Sequence, residues 1–195
     1  MSDALSQDKG EHRDHFPAPL AKRIIAYIMD AVLLFILIQL VSIMIPKLYD
    51  QKTVREFNEL FHKASLLGTQ ERFNSSEMAT LIEKSKLSED TYNMIIFMAF
   101  IGFAMPVTYF FCGEYFFRGQ TLGKATFGLR SVEIFNSNKI VYRKAIIRSV
   151  IKGFATVTLI TPFFLPGILN FSLCLFNSRK RCFHEILSGT ITIQD

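Results

Sequence analysis

Lys22 to Pro46 reads KRIIAYIMDAVLLFILIQLVSIMIP. From Ile24 to Ile45 it holds 22 residues, apolar except for Asp30, Gln39 and Ser42. About 20 residues at ~1.5 Å each match a hydrocarbon core ~30 Å thick, so this run predicts one helix that crosses a bilayer. Arg23 precedes Asp30 by seven residues. That is about two helical turns, so both side chains project from one face. A charge near the centre of a lone membrane helix costs about 2.5–3.5 kcal/mol on insertion scales. Asp30 therefore demands a partner, a proton or water, and the rest of the chain has to supply it.

Half of the 195 residues are apolar, the mean hydropathy is +0.27 and the formal net charge is +5. The placement of the charge says more than its size. Residues 1–21 are polar, carry four acids and predict a flexible tail. They do not resemble a signal peptide, since the apolar run after them is too long and no small-residue cleavage site follows, so the first helix is expected to stay as an anchor. Residues 47–90 form a loop of mixed charge, seven Lys/Arg against eight Asp/Glu. Within it Val54, Phe57, Leu60, Phe61, Ala64 and Leu67 recur at helical spacing, which predicts an amphipathic helix ending at Gly68. Asn74-Ser75-Ser76-Glu77 signals the start of a second one, with Met78, Leu81 and Ile82 on its apolar side.

Ser88-Glu89-Asp90 places a capping hydroxyl and two acids before a second spanning run, Tyr92 to Phe117. Pro106 is expected to kink it, and Gly102 and Gly113 to let neighbours approach closely. Glu114 is a second intramembrane carboxylate, with Arg118 four residues on as its simplest partner. Residues 118–149 are basic, with seven Lys/Arg and one acid. Their opening, RGQTLGKATFGLR, does not match the spacing of a phosphate-binding loop. It reads instead as a turn against the membrane surface, with Lys124 and Arg130 toward lipid headgroups. Leu129 to Phe135 alternates, Asn136-Ser137-Asn138 is a turn, and Ile140-Val141-Tyr142 follows, which predicts a small β-hairpin.

The last apolar region is broken by Thr161-Pro162-Phe163-Phe164-Leu165-Pro166-Gly167 into two short helices, about 145–161 and 165–177. The strong basic loop and Lys22-Arg23 point to the cytoplasm, and residues 47–90 outward. A chain that turns back at the break also brings Arg179-Lys180-Arg181 inside, so both termini are expected in the cytoplasm. The strand-like Thr190–Ile193 then reaches the hairpin. The three cysteines, Cys112, Cys174 and Cys182, are odd in number and show no CxxC spacing. No disulfide framework and no metal site are expected, and Cys112 and Cys174 read as small packed apolar residues.

The fold class that follows is an all-α integral membrane protein. Two long transmembrane helices and a broken third segment, a helical hairpin or re-entrant pair, form a bundle with a small cytoplasmic β-hairpin and an outer amphipathic helical loop. Residues 22–195 make up the membrane domain. Arg23, Asp30, Glu114, Arg148, Lys152, His184 and Glu185 all fall in its cytoplasmic half. Arg148 and Lys152, four apart, share a helical face. They join Arg23 as candidate partners of Asp30.

Four segments together resemble the RDD family of mostly bacterial membrane proteins. They are Arg23-Ile-Ile-Ala-Tyr-Ile-Met-Asp30, Gly119–Val132, Ala145-Ile-Ile-Arg148 and His184-Glu185-Ile-Leu-Ser-Gly-Thr190. The resemblance spans about Ala21 to Ile193, outside the long loop. Arg23 and Asp30 match the first two of the three residues that give the family its name, and Glu185 stands where the third, an aspartate, is usual. The resemblance implies a multi-pass protein of the cell membrane and an association with transport, including cation–proton exchange. Two functions compete. One is ion- or proton-coupled transport through an intramembrane carboxylate, for which an oligomer is expected. The other is membrane assembly, with a purely structural charged cluster and a membrane-protein partner. No HExxH, GxSxG or Walker motif supports an enzyme, and no cofactor or nucleic acid is expected.

Overall fold

The computed structural model describes residues 17–68, 80, 87–134, 140–160, 165–177 and 180–194. The expected tail and the helix expected from Asn74 lie outside these residues, as do the turn Asn136–Asn138 and the start of the break at Thr161. The chain divides into two compact units, residues 1–33 with 106–195, and residues 34–105.

Helix α1, Leu20–Met44, is the opening run. It continues into a 3-10 turn, Ile45–Leu48, whose second residue is Pro46, which lacks the N–H that a helix interior needs. Helix α2, Gln51–Gly68, is the expected amphipathic helix. Asp50 starts it, accepting from the Thr53 N–H at 2.9 Å. Helix α3, Glu89–Tyr115, has Glu89 and Asp90 in its first turn and Pro106 in its interior. Both α1 and α3 are long and apolar enough to cross a membrane. Their side chains are mostly turned outward: Ile28, Val32, Leu40, Ile43 and Phe100 are each about half exposed or more. So much exposed apolar surface suits lipid rather than water.

In the second unit, α2 is tied to the start of α3. Glu56 Oε2 accepts from the Ser88 hydroxyl (2.6 Å), the Thr91 hydroxyl (2.8 Å) and the Ser88 N–H (3.1 Å). Those bonds, from the Ser88 and Thr91 hydroxyls first, pull the Glu56 carboxyl down to about 2. Gly102 has open space where a Cβ would go, so it does not serve the close approach expected of it.

The first unit carries the remaining elements. Helix α4, Leu122–Ala125, follows a tight turn in which Gly119 has φ +84°, a conformation that favours glycine. Strand β1 is Leu129–Glu133, helix α5 Tyr142–Ile160, helix α6 Leu165–Phe176, helix α7 Phe183–Ser188 and strand β2 Thr190–Gln194. The short helices α5 and α6 pack on each other and on α7. A Cβ at Gly153 would crowd Val107 of α3, and one at Gly167 would crowd Ala155 and Leu159, so glycine is what lets these backbones meet.

The expected β-hairpin is corrected. β1 pairs antiparallel with β2, Leu129 opposite Gln194 and Glu133 opposite Thr190, while Tyr142 begins α5. The physical reason lies in the alternation. Val132, Ile191 and Ile193 form one apolar face with Ile134 packed on it. The opposite face presents Ser131, Thr190 and Thr192, all buried, toward charged groups. The segment before α1 adds to this sheet: the Ala18 N–H donates to the Thr192 carbonyl at 2.9 Å.

Candidate functional site

The first unit encloses a cluster of buried charge. Asp30, Glu114, Glu185, Arg23, Lys124, Arg148 and Lys152 are each at most 6% exposed. Local sequence places them simply. Arg23 and Asp30 share a face of α1, Glu114 ends α3, and Arg148 and Lys152 are one turn apart on α5.

Their pairing differs from the expectation. Asp30 binds neither Arg23, Arg148 nor Lys152. Its Oδ1 accepts from the Tyr109 hydroxyl (2.6 Å) and the Gly123 N–H (2.7 Å), and its Oδ2 from the Thr121 hydroxyl (2.5 Å). Its partners are thus two hydroxyls and a backbone amide, all of them neutral. Gly123 is required here. A Cβ would overlap the Ala26 carbonyl oxygen and come 2.9 Å from Asp30 Oδ1.

Glu114 pairs with none of its helix neighbours. Its Oε1 accepts from Lys124 Nζ (2.7 Å), Arg148 Nε (2.9 Å) and Lys152 Nζ (3.0 Å). Lys124 is thus no headgroup ligand. It is buried and also donates to Ser131 Oγ (2.5 Å) and the Gly119 carbonyl (3.1 Å). Arg130, its companion in that expectation, is half-buried on β1. Gly113 is the other glycine expected to permit close approach. It does so for the turn at Thr121, whose methyl would lie 2.7 Å from a Cβ there.

Glu185 takes Arg23. It also accepts from the Thr192 N–H (2.9 Å) and hydroxyl (2.6 Å) and the Cys182 N–H (2.9 Å). The Cys182 bond comes from the third residue of α7 reaching back to the helix start. Burial opposes ionisation of Glu185, but the Arg23 and Arg148 charges and the Thr192 and Cys182 bonds outweigh it and hold the carboxyl below its usual range. Arg148 also donates to Thr190 and, at 3.0 Å, to Thr192. His184 Nδ1 lies 2.9 Å from Asn170 Oδ1, which also accepts the His184 backbone N–H, so Nδ1 carries the ring proton. Burial first, then the Arg148, Lys152 and Arg23 charges, push the His184 pKa well below its ordinary value, so the ring is neutral near pH 7.

The cysteine expectation is corrected as well. Cys174 of α6 and Cys182 are joined by a disulfide, their Cα atoms 4.5 Å apart, and Cys112 is free. Spacing in sequence does not reveal this pair, because α6 and the loop before α7 have to fold back first. Both sulfurs lie within 4.8 Å of a Glu185 oxygen. The set does not suit a metal: the sulfurs are bonded to each other, and Arg23 Nη2 approaches Cys182 Sγ at 3.2 Å.

A cavity of about 20 Å³ opens beside Asp30. Arg23, Lys124, Arg148, Lys152 and His184 line it, and Asp30 is the one carboxylate on its wall among the described residues. Its size is that of about one water molecule.

The sequence matches the family model described as RDD family over residues 17–189. The chain belongs to the RDD family. No curated protein and no solved structure matches it. This RDD protein is an integral membrane protein by its two long apolar helices and its family. The match runs from the segment before α1 to the end of α7, and so takes in Arg23, Asp30 and Glu185. Reasoning from sequence missed Tyr109, Thr121 and Gly123, the donors to Asp30. The cue was present in Thr121-Leu122-Gly123, a capping hydroxyl ahead of a helical turn with a glycine in it.

Proposed function

We propose that this RDD protein is a small proton-coupled transporter in which Asp30 carries the coupling proton. One observation carries the reading: of the three carboxylates around the cavity, Asp30 alone is held by neutral donors only, whereas Glu114 and Glu185 each bond to cations. Protonating Glu114 strands three cations, and protonating Glu185 strands Arg23. Protonating Asp30 breaks no ion pair. A metal cation suits the cavity less well than a proton, because four basic side chains face it. Intramembrane carboxylates of this kind are the usual sites of proton relays. The distribution of Lys and Arg supports a multi-pass protein of the cell membrane with both termini in the cytoplasm. Four short spans are few for a complete pathway, which supports an oligomer.

The test is proton flux into vesicles holding the purified protein, read by a trapped pH dye under imposed sodium, potassium or chloride gradients in turn. Flux in the wild type and its loss in a folded Asp30→Asn protein support the reading. Equal flux in both refutes it. A second reading, membrane assembly, is favoured by the way the cluster cross-links α1, α3, α4, α5, α7 and β2. It predicts no flux under any gradient and a membrane-protein partner that copurifies. Labelling of cysteines placed at exposed Gln194 and Lys63 from opposite sides of the membrane supports the proposed topology, and labelling from one side refutes it.

A further inference from the structure

The buried charges around the cavity do not sum to zero. Four cations, Arg23, Lys124, Arg148 and Lys152, face three carboxylates, Asp30, Glu114 and Glu185. The other buried carboxylate among the described residues, Glu133, is matched by its own partner, Lys144. His184 adds no negative charge. A buried charge without a counter-charge is costly, and the fold has to compensate it. The cavity lies at the place of the excess. Its volume of about 20 Å³ accepts one water or an ion of similar size. Lys152 Nζ points one N–H at Glu114 Oε1, and an ammonium has three.

We propose that this cavity binds a small monovalent inorganic anion of about halide size. The coupling that follows rests on Asp30 being the proton site. Asp30 is the only carboxylate on the cavity wall among the described residues, and its negative charge opposes an anion there. Protonating it removes that opposition, so proton and anion uptake favour each other by the same factor in both directions. The substrate class is then a small anion that moves together with a proton. The titratable and charged groups that face Asp30 or line the cavity are Tyr27, Tyr109, Lys124, Lys152, Arg23, Arg148 and His184. Of these, His184 also gains charge as pH falls, so His184→Gln serves as the control.

The experiment is ³⁵Cl line broadening on the full chain in detergent, titrated with sodium chloride at an ionic strength held with gluconate. The expected result is saturable broadening that bromide displaces, lost in Lys152→Met and kept in the exposed Lys47→Met. Affinity rises by about tenfold as pH falls, within the usual range of coupling between sites. That rise disappears in Asp30→Asn and persists in His184→Gln. Broadening that is absent, or that neither saturates nor yields to bromide, overturns the anion site. A pH dependence unchanged by Asp30→Asn overturns the coupling. Chloride binding without proton flux leaves the site standing and refutes the transporter. Proton flux that needs Asp30, without chloride binding, does the reverse.

Discussion

Replacing Glu114 by Gln keeps the shape of the side chain and removes the counter-charge shared by Lys124, Arg148 and Lys152. All three bond to the same oxygen, at 2.7, 2.9 and 3.0 Å. Arg148 and Glu114 are almost completely buried. Breaking one buried ion pair costs about 3–5 kcal/mol, mainly because the remaining charge is left uncompensated. With three cations stranded, the loss for Glu114→Gln is at least about 4 kcal/mol. For a chain of this size each kcal/mol moves Tm by about 2–4 °C, so the expected fall is about 8–16 °C. Circular dichroism melts in detergent measure it. The companion variant sharpens the test. Adding Lys152→Met to Glu114→Gln removes one stranded cation, so the double variant should recover about 1–3 kcal/mol relative to Glu114→Gln. A Glu114→Gln protein melting within about 2 °C of wild type would refute the cluster's role, as would a double variant weaker than the single one.

Gly123→Ala should destabilise the unit by about 2 kcal/mol or more, since the methyl meets the Ala26 backbone and Asp30 Oδ1; a wild-type melt for this variant would contradict the packing. Peptide mapping without reductant should find Cys174 linked to Cys182, and Cys174→Ala should cost about 2–3 kcal/mol by the loop-closure argument. Acid should loosen the protein in two stages, because all three groups have folded pKa values below their unfolded ones. His184 and its stabilising share are lost as pH falls below about 6.5. The shares of Glu185 and Glu56 are lost below about 4.5, that of Glu56 fading toward pH 2. Hydrogen exchange at the start of α3 reads the Glu56 step, and protection that holds down to about pH 2 would contradict it.

What could be read from the residues in order was the local part. The length and apolarity of Ile24–Ile45 dictate a spanning helix, because backbone bonds in lipid have to close within the segment. The spacing of Val54, Phe57, Leu60 and Ala64 dictates α2, and the alternation of Thr190–Ile193 dictates a strand. The four-residue step from Arg148 to Lys152 already puts two cations on one face, and both reach Glu114. The family resemblance was legible for the same reason, as an order of short motifs.

The choice of partners was not local. Asp30 and its donors Tyr109, Thr121 and Gly123 stand 79, 91 and 93 residues apart. Only the folded chain decides that hydroxyls and an amide, rather than a nearby arginine, satisfy that carboxylate. Only the fold turns Lys124 from an apparent surface cation into a buried one, makes Tyr142 the start of a helix rather than the end of a hairpin strand, and brings Cys174 to Cys182. The physical reason is that sequence periodicity records which face of an element is buried, whereas an ion pair or hydrogen bond forms between whichever groups the packing brings within about 3 Å.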